Sequence, residues 1–453
     1  MEILKTEGPK IGLFLNASKC EWSWLDDACH APCPIDQVSL VETSKIQMLG
    51  VPLGSVEFNS EFVADRLGVT SQKVMCLSDF DDSQAALYLL RLSFGIVRAN
   101  HFMRTTPLSQ WEQQAAEFDE LVRSTAVAII GAPLPPDAYE QACVSPCRGG
   151  LGLRRSSHHA NASFNASKFE ASVQCGEHWL DMPELYKSQR SASAFIDDAI
   201  MERLIAHSSC RDAQRLRRLN SRHANAWITA LPSSLDGKDT ILEPKIFQTA
   251  VSRLLGLPLM CDVTPCPSCE QTLDIHGDHS LCCRKTGDTI TRHNRVRNFI
   301  CDLAEKGMLN PEMEKQGILG PTDSSKRRPG DVSIPLWSHG RGLAIDVAVI
   351  CPLASSHISQ EVPCESYAAS SKHGKYDDSF VGSRYDFAAV VFETSGAVNA
   401  EGEDVLKQII RFASKRQRLC HSVFSGRTWT RLSCCIQMCV AQSCLNRLPP
   451  VVV

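Results

Sequence analysis

The sequence predicts a mixed fold, an α/β unit joined to a mainly helical region, and three observations carry that expectation. Between His293 and Arg418 the residue patterns run helix, three strands, helix, strand, helix, the order of a sheet covered by helices. Upstream, apolar residues recur at helical spacing from Ser83 to Phe102, Gln110 to Ile130, Ser193 to Leu219 and Pro244 to Leu255. Between these regions lies a short segment rich in cysteine and histidine, Cys266 to Cys283, with too little apolar material to hold its shape without a metal.

In chain order, the apolar runs Lys10 to Leu15 and Ile46 to Val51 read as strands, the second closed by Pro52 and Gly54. The helical stretches follow, broken at Gly131 to Pro136. The turn Arg148-Gly-Gly-Leu-Gly-Leu153 lacks the G-x-G-x-x-G order of a dinucleotide site and reads as structural. A polar, small-residue stretch with a duplicated Asn-Ala-Ser at Asn161 and Asn165 comes next. Beyond the cysteine-rich segment, His293 to Lys306 reads as a helix. Met313 to Leu319, Asp331 to Pro335 and Leu343 to Cys351 read as strands, Ser366 to Phe380 as a helix, Phe387 to Glu393 as a strand and Glu403 to Arg418 as a helix.

At 453 residues and 43% hydrophobic, the chain is too apolar for general disorder and long enough for two to four domains. A formal charge of -4 excludes a uniformly basic nucleic-acid-coating protein, so phosphate contacts must come from local patches. Arg284, Lys285, Arg292, Arg295 and Arg297 form one patch, and Lys326, Arg327 and Arg328 a second. A third, Lys407, Arg411, Lys415, Arg416 and Arg418, has helical spacing and reads first as a solvated helix face. The 21 cysteines are odd in number and scattered, which speaks for a reducing compartment rather than a disulfide framework. No signal-peptide core opens the chain and no apolar run of about 18 residues occurs, so the expectation is a soluble intracellular protein without membrane contact.

Two metal chemistries are implied. Thiolates at Cys266 and Cys269, with His276 or His279 and Cys282 or Cys283, can close a tetrahedral zinc site. Asp331 and Asp346, placed at the ends of neighbouring strands, can hold a hard cation such as magnesium. Asp346 sits inside the apolar run Leu343 to Ile350, which predicts burial on both faces. A buried unpaired carboxylate costs several kcal/mol, so a metal or a lysine must compensate it. Cys435 and Cys439 lie one helical turn apart, with Cys444 following, and read as a buried helix face rather than a second metal site.

Several words of the chain resemble LINE-type, non-LTR retrotransposon reverse transcriptases over nearly its whole length. Gly12-Leu-Phe-Leu-Asn-Ala-Ser-Lys-Cys-Glu21 and Leu49-Gly-Val-Pro-Leu-Gly-Ser55 are similar to the last palm motifs, and Arg98-Ala-Asn-His-Phe-Met-Arg104 to the thumb. Gly149 to Leu153 and Ala224-Asn-Ala-Trp227 look like the connecting region. Gly277-Asp-His279 to Cys283, Arg292-His-Asn294, Arg328-Pro-Gly-Asp331 and Ala344-Ile-Asp-Val347 resemble the zinc knuckle and restriction-like endonuclease. The resemblance implies a palm end over residues 1–75, a helical thumb and connector over 76–260, a zinc knuckle over 261–292, an α/β endonuclease sandwich over 293–420 and a C-terminal helix and tail over 421–453. It favours His279 and Cys283 as the remaining zinc ligands.

By the same resemblance, Asp331 and Asp346 bind magnesium, Glu314 is the first carboxylate with Glu312 as substitute, and Lys372 or Lys375 supplies the catalytic lysine. Two departures stand against the strict motif: Gly330 separates Pro329 from Asp331, and Ala348 occupies the usual lysine position. His293 either faces the site or packs at the helix start, and Glu393 either assists at the sheet edge or is structural. Arg292, His293, Arg295, Arg297, Arg327 and Arg328 are the expected nucleic-acid contacts. The paired polymerase aspartates are missing; Asp26-Asp27 lies on the wrong side of Lys19, so no DNA synthesis is expected. The implied function is a magnesium-dependent nick in target DNA inside the nucleus, with element RNA as a further partner. The alternative is a non-catalytic, zinc-dependent nucleic-acid-binding remnant.

Overall fold

A computed structural model describes residues 3, 6–24, 38–176, 183–232, 238–320 and 327–448. Asp26, Asp27 and Lys326 lie outside the described residues. The chain forms two compact units, one from residues 1–73, 96–121 and 155–193, the other from 74–95, 122–154 and 194–453. The stretch 76–260 thus contributes to both units. The mixed α/β class expected from sequence holds at this level. Among the described residues no helix is long and apolar enough to cross a membrane.

In the first unit, Lys45–Met48 and Val51–Gly54 pair antiparallel around Leu49 and Gly50, both at positive φ, as a tight hairpin turn requires. The run Lys10 to Leu15, expected as a strand, is not one: a 3-10 turn at Pro9–Ile11 ends on Gly12 in the left-handed region. A helix that residue periodicity did not reveal spans Ser156–Gln174. Its buried face is built from Ser156, His159, Ala160, Ala162, Ser163 and Ala166, small and polar residues that leave no apolar stripe to detect. Asp119 caps its start, accepting the backbone N–H and the hydroxyl of both Ser156 and Ser157.

The second unit centres on a four-stranded sheet: β1 (Glu312–Met313), β2 (Val332–Ser338), β3 (Arg341–Ile350) and β4 (Tyr385–Glu393), in spatial order β4-β3-β2-β1. β4 runs parallel to β3, whereas β2 is antiparallel to both β3 and β1. The expected strand Met313 to Leu319 stops at Met313, because Glu314 turns to φ +48° and Gly317 to φ +73°. One face of the sheet carries Leu343, Ile345, Val347, Val390 and Phe392 into a core with α1 (Asp288–Lys306), α4 (Ala400–Arg416) and α5 (His421–Leu445). The other face, Ala348, Ile350, Ala389 and Val391, packs on α2 (Pro363–Tyr367) and the π-helical turn Ala368–His373 that continues it into α3 (Gly374–Phe380). β3 is therefore buried on both sides, as its apolar run predicted. Cys435, Cys439 and Cys444 are buried on α5.

Glu393 proves structural. It is fully buried at the end of β4, ion-paired to Arg218 Nε at 2.8 Å, and it accepts from Ser395 Oγ at 3.0 Å and the Cys364 N–H at 3.3 Å. Removing one partner leaves the other charge buried and unpaired. We expect Glu393→Ala to destabilise the chain by about 3–5 kcal/mol in urea unfolding, and Arg218→Met/Glu393→Leu together to cost less than either single change.

Candidate functional site

The cysteine-rich segment is a hairpin, Thr264–Pro265 paired with Thr272–Leu273, followed by a short helix at Asp278–Cys282. The tight turn returns Cys266 N–H to Gln271 O at 2.7 Å and Glu270 N–H to Cys266 O at 2.9 Å, with Glu270 at φ +62°. Asp274 accepts the N–H groups of His276, Asp278 and His279 through its two oxygens and so fixes the approach of the histidine. The result brings Cys266, Cys269, His279 and Cys283 together, with all four ligand atoms within 4.8 Å of one another. Tetrahedral bonds of about 2.3 Å to sulfur and 2.0 Å to nitrogen set ligand atoms under about 4 Å apart, a spacing this cluster reaches with a small contraction, and three soft thiols with one imidazole suit zinc. The ambiguity left by spacing resolves here: His276 Nδ1 faces Leu257 O at 3.4 Å, and neither His276 nor Cys282 belongs to the cluster. Arg211 and Arg253 clamp Asp278 at 2.6 and 2.9 Å, which ties the short helix to the body of the unit.

A second constellation lies on the α2 side of the sheet. The register Val332↔Ile345 places Asp331, just before β2, beside Asp346 in the middle of β3. The two acids are thus at a strand start and a strand centre, not at two strand ends as expected. Asp331 Oδ2 accepts the Val347 N–H at 2.6 Å, and its Oδ1 lies 3.1 Å from His293 Nε2. Lys372 Nζ reaches Asp346 Oδ2 at 2.5 Å from the π-helical turn. Such turns are rare and concentrate at functional positions.

Electrostatics separate the two acids. Burial, reinforced by the neighbouring Asp331 and only partly offset by Lys372, pushes the Asp346 carboxyl up to about 6. Burial would raise Asp331 as well, but the hydrogen bonds from His293 and the Val347 N–H hold it below the ordinary carboxylate value. The Asp346 carboxylate outweighs burial at Lys372 and keeps the ammonium charged. Adjoining hard oxygens of this kind fit a cation such as magnesium, which would relieve the like-charge repulsion.

Other expected members stand elsewhere. The Glu314 carboxylate is taken up by Arg297 and Arg328, each at 2.7 Å, and among the described residues Asp331 and Asp346 belong to no group of three or more metal-type side chains. Glu312 pairs with Lys315 at 2.6 Å. Lys375 lies over the Tyr376 ring and donates to its hydroxyl at 2.9 Å, so Lys372 is the lysine the fold brings to the acids. Arg292, expected on nucleic acid, is 2% exposed and donates to Leu281 O at 2.9 Å; burial removes it from any phosphate. Arg295 is exposed on α1, Arg327 is exposed beside Ser379, and Arg328 is half exposed while holding Glu314. The role of His293 at Asp331 and the Val347 N–H were not distinguishable from sequence; only strand register reveals them.

The chain was compared with protein-family models and with curated proteins, and nothing matches in either comparison.

Two outcomes test this geometry. Cys269→Ser should lower bound zinc, measured after denaturation with a colorimetric chelator, from about one equivalent to none, whereas Cys282→Ser should leave it unchanged. Lys372→Ala should destabilise the chain by about 1–3 kcal/mol in urea melts, because Asp346 loses its counter-charge, while Lys375→Ala stays within about 0.5 kcal/mol.

Proposed function

We propose that this chain is a metal-dependent endonuclease that nicks DNA, of the kind carried by LINE-type retrotransposon proteins, with a zinc knuckle that assists nucleic-acid binding. The observation that carries the reading is the meeting of Asp331 and Asp346 across β2 and β3 with Lys372 on the second acid. In this reading residues 293–420 are a restriction-like nuclease, and residues 1–75 and 76–260 are a palm end and a thumb with connector. Nuclear DNA is the target, and element RNA is a further ligand.

Asp331 and Asp346 would hold magnesium, which when bound polarises a scissile phosphate and lowers the pKa of a water. Lys372 contributes positive charge beside the acids, where a phosphate gains negative charge on attack. His293 positions Asp331 by fixing the oxygen that faces it, leaving the other on the Val347 amide. Arg295, Arg327 and Arg328 supply exposed cations for the DNA backbone.

One observation favours the second reading, a zinc-dependent nucleic-acid-binding module without turnover: Glu314 is engaged by two arginines rather than by the acid pair. Supercoiled plasmid with magnesium separates the two. The nuclease reading expects nicking that falls at least about 100-fold in Asp331→Asn and in Asp346→Asn, with duplex binding retained. Intact plasmid with retained binding by the wild-type chain, or nicking indifferent to both substitutions, would give the assignment to the binding module or to a contaminant.

A further inference from the structure

The third basic patch is not simply a solvated face. Lys407 and Arg411 of α4 meet Arg222 and His223 of a preceding loop and His421 and Trp429 of α5 around a cavity of about 350 Å³, within the second unit. No acidic side chain lines it. Glu403 lies beneath, accepting Lys407 Nζ at 2.9 Å and Arg222 Nη1 at 3.1 Å, and Asp404 takes a second contact from Lys407 at 3.2 Å. Three formal positive charges therefore face two negative ones, and the surplus resides on Arg411. Among the described residues its guanidinium has no hydrogen-bond or ion-pair partner.

The wall is built rather than incidental. The His223 ring stacks on Trp429 with 4.0 Å between centroids and 4° between planes. His223 holds φ +65°, a left-handed backbone that costs a β-carbon-bearing residue about 1 kcal/mol or more and persists only where the surroundings fix it. Its Nε2 is buried and lies 3.6 Å from Glu403, too far for a hydrogen bond. Burial holds this imidazole neutral, pushed down to about 4, so it offers a dipole and not a charge. Ser414 Oγ donates to Arg411 O at 3.0 Å and meets His421 Nδ1 at 3.2 Å, which places the ring hydrogen of His421 on Nδ1 and leaves that imidazole as a wall of the cavity.

We infer that this cavity is a binding site for a phosphate group, with Arg411 as its principal anchor and Lys407 and Arg222 as further donors. Three cations on two separate elements suit an anion with oxygens in several directions; a planar carboxylate is satisfied by a single guanidinium. Two sources share that chemistry, a phosphodiester of a nucleic-acid strand and a free phosphate. The inference does not rest on the nuclease reading.

The test uses the full chain and Arg411→Ala, a truncation at an exposed position whose fold is checked by circular dichroism. Inorganic phosphate is titrated calorimetrically against chloride at matched ionic strength, and duplex DNA binding is followed over a salt series. Arg341→Ala, which removes an exposed cation paired with Asp386, is the control. Phosphate binding weakened at least about 10-fold in Arg411→Ala supports the site. A DNA salt slope reduced by about 1 identifies the nucleic-acid strand as the source, and an unchanged slope identifies free phosphate. The site is refuted where phosphate binds no better than chloride and Arg411→Ala leaves the DNA slope unaltered, or where Arg341→Ala reproduces both losses. Neither arm reads plasmid nicking, so failure here and failure of the nuclease assignment are separate results.

Discussion

Like-charge proximity between Asp331 and Asp346 is the constraint around which the second unit is arranged. It is imposed by the backbone: once Val332 pairs with Ile345, Asp331 can reach the Val347 amide at 2.6 Å, and the two acids stand side by side. Neighbouring carboxylates cannot both ionise freely in a buried setting, so one is raised and the other is held down by its donors. Lys372 and His293 supply what the fold itself offers in compensation.

Small residues surround the buried acid. On the face of β3 that bears Asp346, the flanking residues are Ala344 and Ala348, and the partner on β4 is Ala389, all buried. Lys372 reaches Asp346 on this face from the π-helical turn. On the opposite face Leu343, Ile345 and Val347 interdigitate with Val296, Ile300, Ile409 and Ile410, where burial of each large side chain contributes roughly 1.5–3 kcal/mol. That packed face anchors the strand whose other face carries Asp346.

Much of this was readable in the residues, and the failures have physical reasons. The apolar run around Asp346 announced a doubly buried strand, and the thiol spacing announced the metal cluster, but spacing alone could not choose between His276 and His279 or between Cys282 and Cys283. That choice was made by the Asp274 turn, a tertiary feature. Arg292 was grouped with surface cations although it falls four residues before Val296 and eight before Ile300, on the buried stripe of α1. Glu314 was expected on a strand that ends one residue earlier, where the backbone turns left-handed. The helix Ser156–Gln174 escaped notice because it buries serine and alanine, to which hydrophobic periodicity is blind.

Arg292 and His293 are consecutive on α1, and helical geometry turns successive side chains by about 100°. One therefore points into the core, where its guanidinium holds the Leu281 carbonyl of the short helix that carries His279 of the cysteine-histidine cluster. The other points toward the sheet, where its imidazole meets Asp331. Leu281 is itself part of the main core, so the knuckle is continuous with the sheet packing. Because both contacts depend on the rotation of the same helix, a shift of α1 that relaxed one would displace the other. In this Arg-His-Asn word the arginine thus ties α1 to the short helix and the histidine ties it to a carboxylate beside the sheet.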